Sequence, residues 1–188
     1  MSFLINPFAF AVAGGDFEPI ATATVGSGGA ASLSFSSIPS TYQHLQVRGI
    51  ALLNRTSPFT GGLYMSTRLN GVTSGYAYHM LGGNGASAFA SAGTASSSIL
   101  SFSRSSTSDD SIFSPFVIDI LDYANTSKNK VVRLFSGYDA NGSGYVNLVS
   151  GFYVSTDVVS SISLLCNVNT GGTLRQHTTA ALYGVKAP

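Results

Sequence analysis

Asp139-Ala-Asn-Gly-Ser-Gly144 sets oxygen-bearing side chains at its first, third and fifth positions and glycine at its sixth. This copies the opening half of a calcium loop, where carboxylate and amide oxygens ring a hard cation. The twelfth position should carry the acid that closes the ring, and here it is Ser150. The same residues contain Asn141-Gly142, a strong hairpin signal, because a type I′ turn needs positive φ at both central residues. A turn is the expectation, and no metal or other cofactor is expected.

The remaining groups able to do chemistry are few and scattered. His44, His79 and His177 have no metal-ligand spacing, and His44 and His177 fall in strand patterns among Gln and Arg, as surface or interface residues. Cys166, the only cysteine, sits in the apolar run Ser161-Ile-Ser-Leu-Leu-Cys-Asn-Val168 and reads as a small buried hydrophobe. Asp119 and Asp122 could suggest paired carboxylates, but three apart in a strand they face opposite ways. Glu18 is the only glutamate, and no nucleophile elbow occurs. A nucleophile, a base and an oxyanion site are not assembled, so no catalytic residue is assigned and the chain is read as a non-enzyme. Tyr64, Tyr76, Tyr78, Tyr123, Tyr138, Tyr145 and Tyr153 could stack on sugars, although tyrosine serves equally well at sheet and protein interfaces.

The elements that must carry these residues are strands. Leu33 and Phe35 alternate with serines, Leu45 and Val47 with Gln46 and Arg48, and Ile162 and Leu164 with Ser161 and Ser163. Phe116, Ile118 and Ile120 share a face. A period of two marks half-buried antiparallel strands. The pattern predicts strands near 17–25, 29–36, 43–54, 62–70, 97–104, 112–122, 129–138, 144–154, 158–168 and 174–185. It predicts hairpin turns at Asn70-Gly71 and Asn141-Gly142. The small-residue stretch Gly82–Gly93 reads as a long surface loop, and Arg104–Asp110 as a polar loop or turn. No helical periodicity or heptad repeat is present. About ten short strands at this spacing predict an all-β fold, an antiparallel β-sandwich resembling a jelly roll.

Composition narrows the partners. Charged residues make up 9% of the 188 residues, with net charge +1, against roughly 25% in ordinary soluble domains. Little repulsion keeps copies apart, so a homo-oligomer is expected, a trimer first. Nine scattered Lys and Arg make no basic patch for nucleic acid. The apolar start is broken by Asn6-Pro7 and lacks a basic leader, so neither a signal peptide nor a membrane span is expected.

Residues 1–15 stand apart from a sandwich domain expected over 16–188. Phe3, Leu4, Ile5, Phe8 and Phe10 form an aromatic-rich run without clean alternation, bounded by Gly14-Gly15. Leaving them in water costs roughly 1.5–3 kcal/mol per side chain. The run therefore docks, either as an arm on a neighbouring subunit or virion protein or as a terminal strand on its own sandwich.

Phe35-Ser-Ser-Ile-Pro39 with Tyr42, Leu45 and Arg48 is read with Thr178-Thr-Ala-Ala-Leu-Tyr-Gly-Val-Lys186. Ile5-Asn-Pro-Phe8, Asp16-Phe-Glu-Pro-Ile20, Arg68-Leu-Asn-Gly71, Phe116-Val-Ile-Asp-Ile-Leu-Asp-Tyr123 and Gly137-Tyr138 complete the pattern. In this combination the chain resembles small β-sandwich virion proteins of tailed bacteriophages along nearly its whole length. The resemblance implies a non-enzymatic virion component made in the host cytoplasm, and it carries no catalytic residues. The expected role is decoration and cementing of the capsid exterior, through contacts with the major capsid or other virion proteins. A tail-fibre or receptor-binding module touching host glycans is the alternative.

Overall fold

The computed structural model describes residues 16–54, 64–102, 105–106, 111–166 and 172–186. The proposed arm, with Phe3, Leu4, Ile5, Phe8 and Phe10, lies outside the described residues, as does most of the 104–110 segment. The described chain is all-β. Its strands are β1 (Phe17–Thr24), β2 (Ser32–Phe35), β3 (His44–Ala51), β4 (Leu53–Asn54) and β5 (Tyr64–Leu69). Next come β6 (Tyr76–Gly83), β7 (Ala88–Ser96), β8 (Ile99–Phe102), β9 (Ser105–Ser106) and β10 (Ser114–Leu121). The last are β11 (Lys130–Asp139), β12 (Gly144–Tyr153), β13 (Ile162–Cys166), β14 (Thr173–Leu174) and β15 (Thr179–Val185).

They build an eight-stranded sheet in the order β1-β15-β3-β10-β11-β12-β6-β7 and a four-stranded sheet β2-β13-β5-β8. A small patch, β14-β4-β9, completes the set. Every pairing is antiparallel except the two-residue contact of β4 with β9. The smaller sheet covers the inner face of the larger one, so the fold is an antiparallel β-sandwich. A jelly roll divides eight strands between two sheets through Greek keys. Here the division is eight and four, and β10, β11 and β12 run as a meander.

The predicted alternation holds where it was cleanest. Leu33, Phe35, Leu45, Val47, Phe116, Ile118, Ile120, Ile162 and Leu164 are all buried in one core. Tyr76 and Tyr153, paired between β6 and β12, stack with ring centroids 4.6 Å apart. Gly151 is open enough for Ile99 of β8 to press onto the large sheet, since a methyl there would overlap the Ile99 side chain.

Three readings change. Gly82–Gly93 is no loop: it forms the end of β6 and much of β7, an antiparallel hairpin closing the sheet edge. Gly, Ala and Ser have weak strand preference and show no alternation, yet the ready-made edge of β12 pairs with β6 regardless. Asn70 and Gly71 do adopt positive φ, 54° and 67°. Their turn does not close a hairpin, because β5 belongs to the small sheet and β6 to the large one. His177 lies outside β15, in a turn with φ 70°.

Candidate functional site

Several of the groups that suggested chemistry make contacts within the scaffold. Asn141 and Gly142 have φ of 52° and 111° and join β11 to β12. The Asn141 backbone N–H donates to Asp139 Oδ1 at 2.7 Å, and Ala140 N–H to the Ser143 carbonyl at 2.7 Å. Asp139 thus caps its own turn through one carboxylate oxygen. Cys166 is buried beneath Gly172, where a methyl would overlap its Sγ. Glu18 accepts from Lys186 Nζ and from Tyr42 Oη, pinning β1 to the end of β15. Those hydrogen bonds hold its carboxyl below the usual range.

Asp119 and Asp122 do not form a pair. Asp119 accepts from Gln46 Nε2 at 2.6 Å and from Arg133 Nε and Nη2 at 3.1 and 2.9 Å. Asp122 has left β10 for a turn with φ 47° and takes Lys128 at 2.8 Å. Its backbone N–H donates to His44 Nδ1 at 3.0 Å. His79 is exposed on β6. Among the described residues, no three His, Cys, Asp or Glu side chains gather in a group that could hold a metal.

The candidate tyrosines do not gather on one exposed face. Tyr76, Tyr123 and Tyr153 are buried in the core. By strand alternation Tyr78, Tyr138 and Tyr145 lie on the inner face of the large sheet. Tyr145 meets Phe89 edge-on at 6.1 Å and Tyr138 at 5.8 Å.

What stands out is the other face of that sheet. Along β11 the residues Val131, Arg133, Phe135 and Gly137 point outward. Along β12 they are Val146, Leu148, Ser150 and Phe152. Register aligns them in rows: Leu121, Val131 and Phe152; then Asp119, Arg133, Ser150 and His79; then Val117, Phe135, Leu148 and Leu81. A polar row is therefore set between two apolar rows. Leu81 is 60% exposed, Phe135 54% and Leu148 49%. The opposite end of this face differs, because Arg48 lies over the rings of Phe17 and Tyr183 at 5.1 and 5.7 Å. The guanidinium covers only part of that end, where Phe17 stays 45% exposed.

Two shallow grooves flank the Phe135 and Leu148 pair. One, of about 750 Å³, wraps the end of the sheet beside the 139–144 hairpin, from Phe135 and Val146 on the outer face to Tyr138 and Tyr145 on the inner one. The other, of about 740 Å³, runs by Leu121, Val131, Arg133, Leu148 and Leu81. Both are mostly apolar. Sequence periodicity did not reveal this face, because β11 and β12 carry large apolar groups on both sides. Comparison with protein-family models, with curated proteins and with solved structures finds no match, so the reading of this chain rests on its own geometry: a bare apolar sheet face crossed by one polar row.

Proposed function

We propose that the chain is a non-enzymatic structural protein of a phage virion, decorating and cementing the capsid exterior through protein contacts. The observation that carries docking against protein is the apolar outer face around Phe135 and Leu148; the phage setting comes from the sequence resemblance. Monomeric soluble proteins rarely leave large exposed patches of contiguous apolar surface, and such patches mark interaction sites. The face is apolar, its one ion pair is internally neutral, and it is backed by the core, which suits docking against protein. The low overall charge and the resemblance to phage sandwich proteins support the same reading. A tail-fibre module contacting glycans has less support, since Tyr76, Tyr123 and Tyr153 are core residues, although Tyr138 and Tyr145 border the larger groove.

The test adds purified protein to capsids that lack it and follows co-sedimentation and the temperature at which particles release DNA. The wild-type chain should be retained and raise that temperature. Phe135→Asp should fold normally and fail on both counts. Retention of Phe135→Asp at wild-type levels, or no gain in heat resistance with the wild type bound, would sink the proposal.

A further inference from the structure

Resting on this assembly reading, we infer that the outer face of the large sheet receives residues 4–10 of a second copy of the chain, laid extended along β11. The pattern of the two segments matches. In an extended segment, alternate side chains share one face, so Leu4, Asn6, Phe8 and Phe10 point together. The outward residues of β11 are Val131, Arg133, Phe135 and Gly137. Run side by side, apolar Leu4 meets the Val131 row and Asn6 meets the polar row of Arg133 and Ser150. Phe8 then meets the Phe135 and Leu148 row. Phe10 falls at Gly137, which carries no side chain and borders the larger groove. The segment before residue 14 carries no charged side chain. It suits a face where Arg133 is already neutralised by Asp119.

The direction of the chain favours a second copy over its own. The Asp16 carbonyl accepts the Lys186 N–H at 3.0 Å, so the β1 ladder is fixed up to that residue. β1 is the outermost strand, and Phe17 pairs with Val185, which pairs with His44. Asp16 and Phe17 therefore lie at the edge remote from β11, at the end of the sheet where β11 begins. In this register six residues, about 20 Å when extended, would have to join Asp16 to Phe10, while Gly137 lies roughly 19 Å across the sheet and about 20 Å along it. Reaching its own groove would require a reversal and a passage over Arg48, Phe17 and Tyr183. A neighbour placed beyond that edge needs neither. Each copy gives one arm and accepts one. Such head-to-tail contacts close into a ring when the rotation allows, in keeping with the trimer expected from composition.

The test uses the full chain in solution and reads self-association, whereas the proposed function is read on particles. Chains carrying Phe8→Cys are mixed with chains carrying Leu148→Cys under mild oxidation. The expected product is a disulfide-linked pair of chains, absent when either chain is wild type at its position. Asn6→Arg would bury an unpaired charge beside the completed Arg133–Asp119 pair and should weaken self-association by about tenfold or more. Arg133→Glu should restore it in that background. A Phe8→Cys, Leu148→Cys double variant that links only within one chain and stays monomeric overturns the second copy as occupant. Absence of any link, with Asn6→Arg without effect on mass by light scattering, overturns the face as receptor. In either case retention on particles decides the function reading separately.

Discussion

Gly184 on β15 lies directly beneath the ring of Tyr42, so that a methyl on Gly184 would occupy the place of the ring itself. The Tyr42 hydroxyl then reaches Glu18 on β1 at 3.1 Å. One tyrosine from the loop before β3 thus crosses β15 and holds the edge strand. Gly184→Ala is expected to destabilise the protein by about 1–3 kcal/mol, the usual cost of overpacking. Thermal melting should fall by several degrees for a chain of this size. In a Tyr42→Ala background the same substitution should cost far less, because the overlap is gone. An equal loss in both backgrounds would contradict the contact.

Alkaline pH should unfold the protein through Tyr76. This ring is buried, and burial pushes its hydroxyl up to about 12. Unfolded tyrosine ionises near pH 10, so above that pH the unfolded state sheds a proton that the folded state keeps. Stability is full below pH 10 and falls as pH rises towards 12, by at most roughly 3 kcal/mol from this group. Tyr76→Phe should be less stable than wild type at pH 8, since the Leu69 N–H donates to the hydroxyl at 2.8 Å. The two melting curves should converge by pH 12. A constant gap from pH 8 to 12 would remove Tyr76 from the explanation.

Asn70 should be costly to replace. Its Oδ1 accepts from Ser160 N–H at 2.9 Å and Ser161 N–H at 3.2 Å, while Nδ2 donates to the Val158 carbonyl at 2.9 Å. It also sits at positive φ. Asn70→Ala should lose about 2 kcal/mol or more, by strain and by lost hydrogen bonds. Asn70→Gly keeps the backbone but loses the bonds, and should fall between. Urea denaturation midpoints check the order; Asn70→Gly at or below Asn70→Ala would contradict it.

This residue also shows how far a sequence can be read. Asn70-Gly71 announces a tight turn, and the turn forms. Which strands the turn joins is set by distant partners, β13 for β5 and β12 for β6. Local signals fix the φ angles, and tertiary pairing decides whether the result is a hairpin or a crossing between sheets. β7 was invisible for a related reason, because Ala88–Ser96 owes its extension to the strand beside it. The core of β3, β10 and β13 was legible, since polar and apolar residues alternate there. The outer face was not, because Val131, Val132, Leu134 and Phe135 look alike in sequence while only two of them face the core.

Lys130 should resist substitution by any residue without a charged tip. It is fully buried, and its ammonium donates to the carbonyls of Asn125, Lys128 and Thr156. Burial depresses its pKa, with Asp157 and Asp122 opposing. Lys130→Met fills the space but leaves those carbonyls without their donor. The expected cost is at least about 2 kcal/mol in chemical denaturation. A neutral outcome would mean that the carbonyls find other partners.

Glu18 and Lys186, which tie β1 to the end of β15, are 168 residues apart in sequence. At roughly 5–20 residues per second, a ribosome needs about 8–34 s to travel between them. Throughout that interval β1 has no strand to lie against, and β3 lacks one of its two neighbours. On crowded polysomes, the β15 of an older chain is available before a younger chain makes its own. Exchange of β1 between such siblings would yield interlocked copies with every native pairing satisfied. Timing of synthesis, as much as surface chemistry, can therefore set how many chains leave the ribosome together.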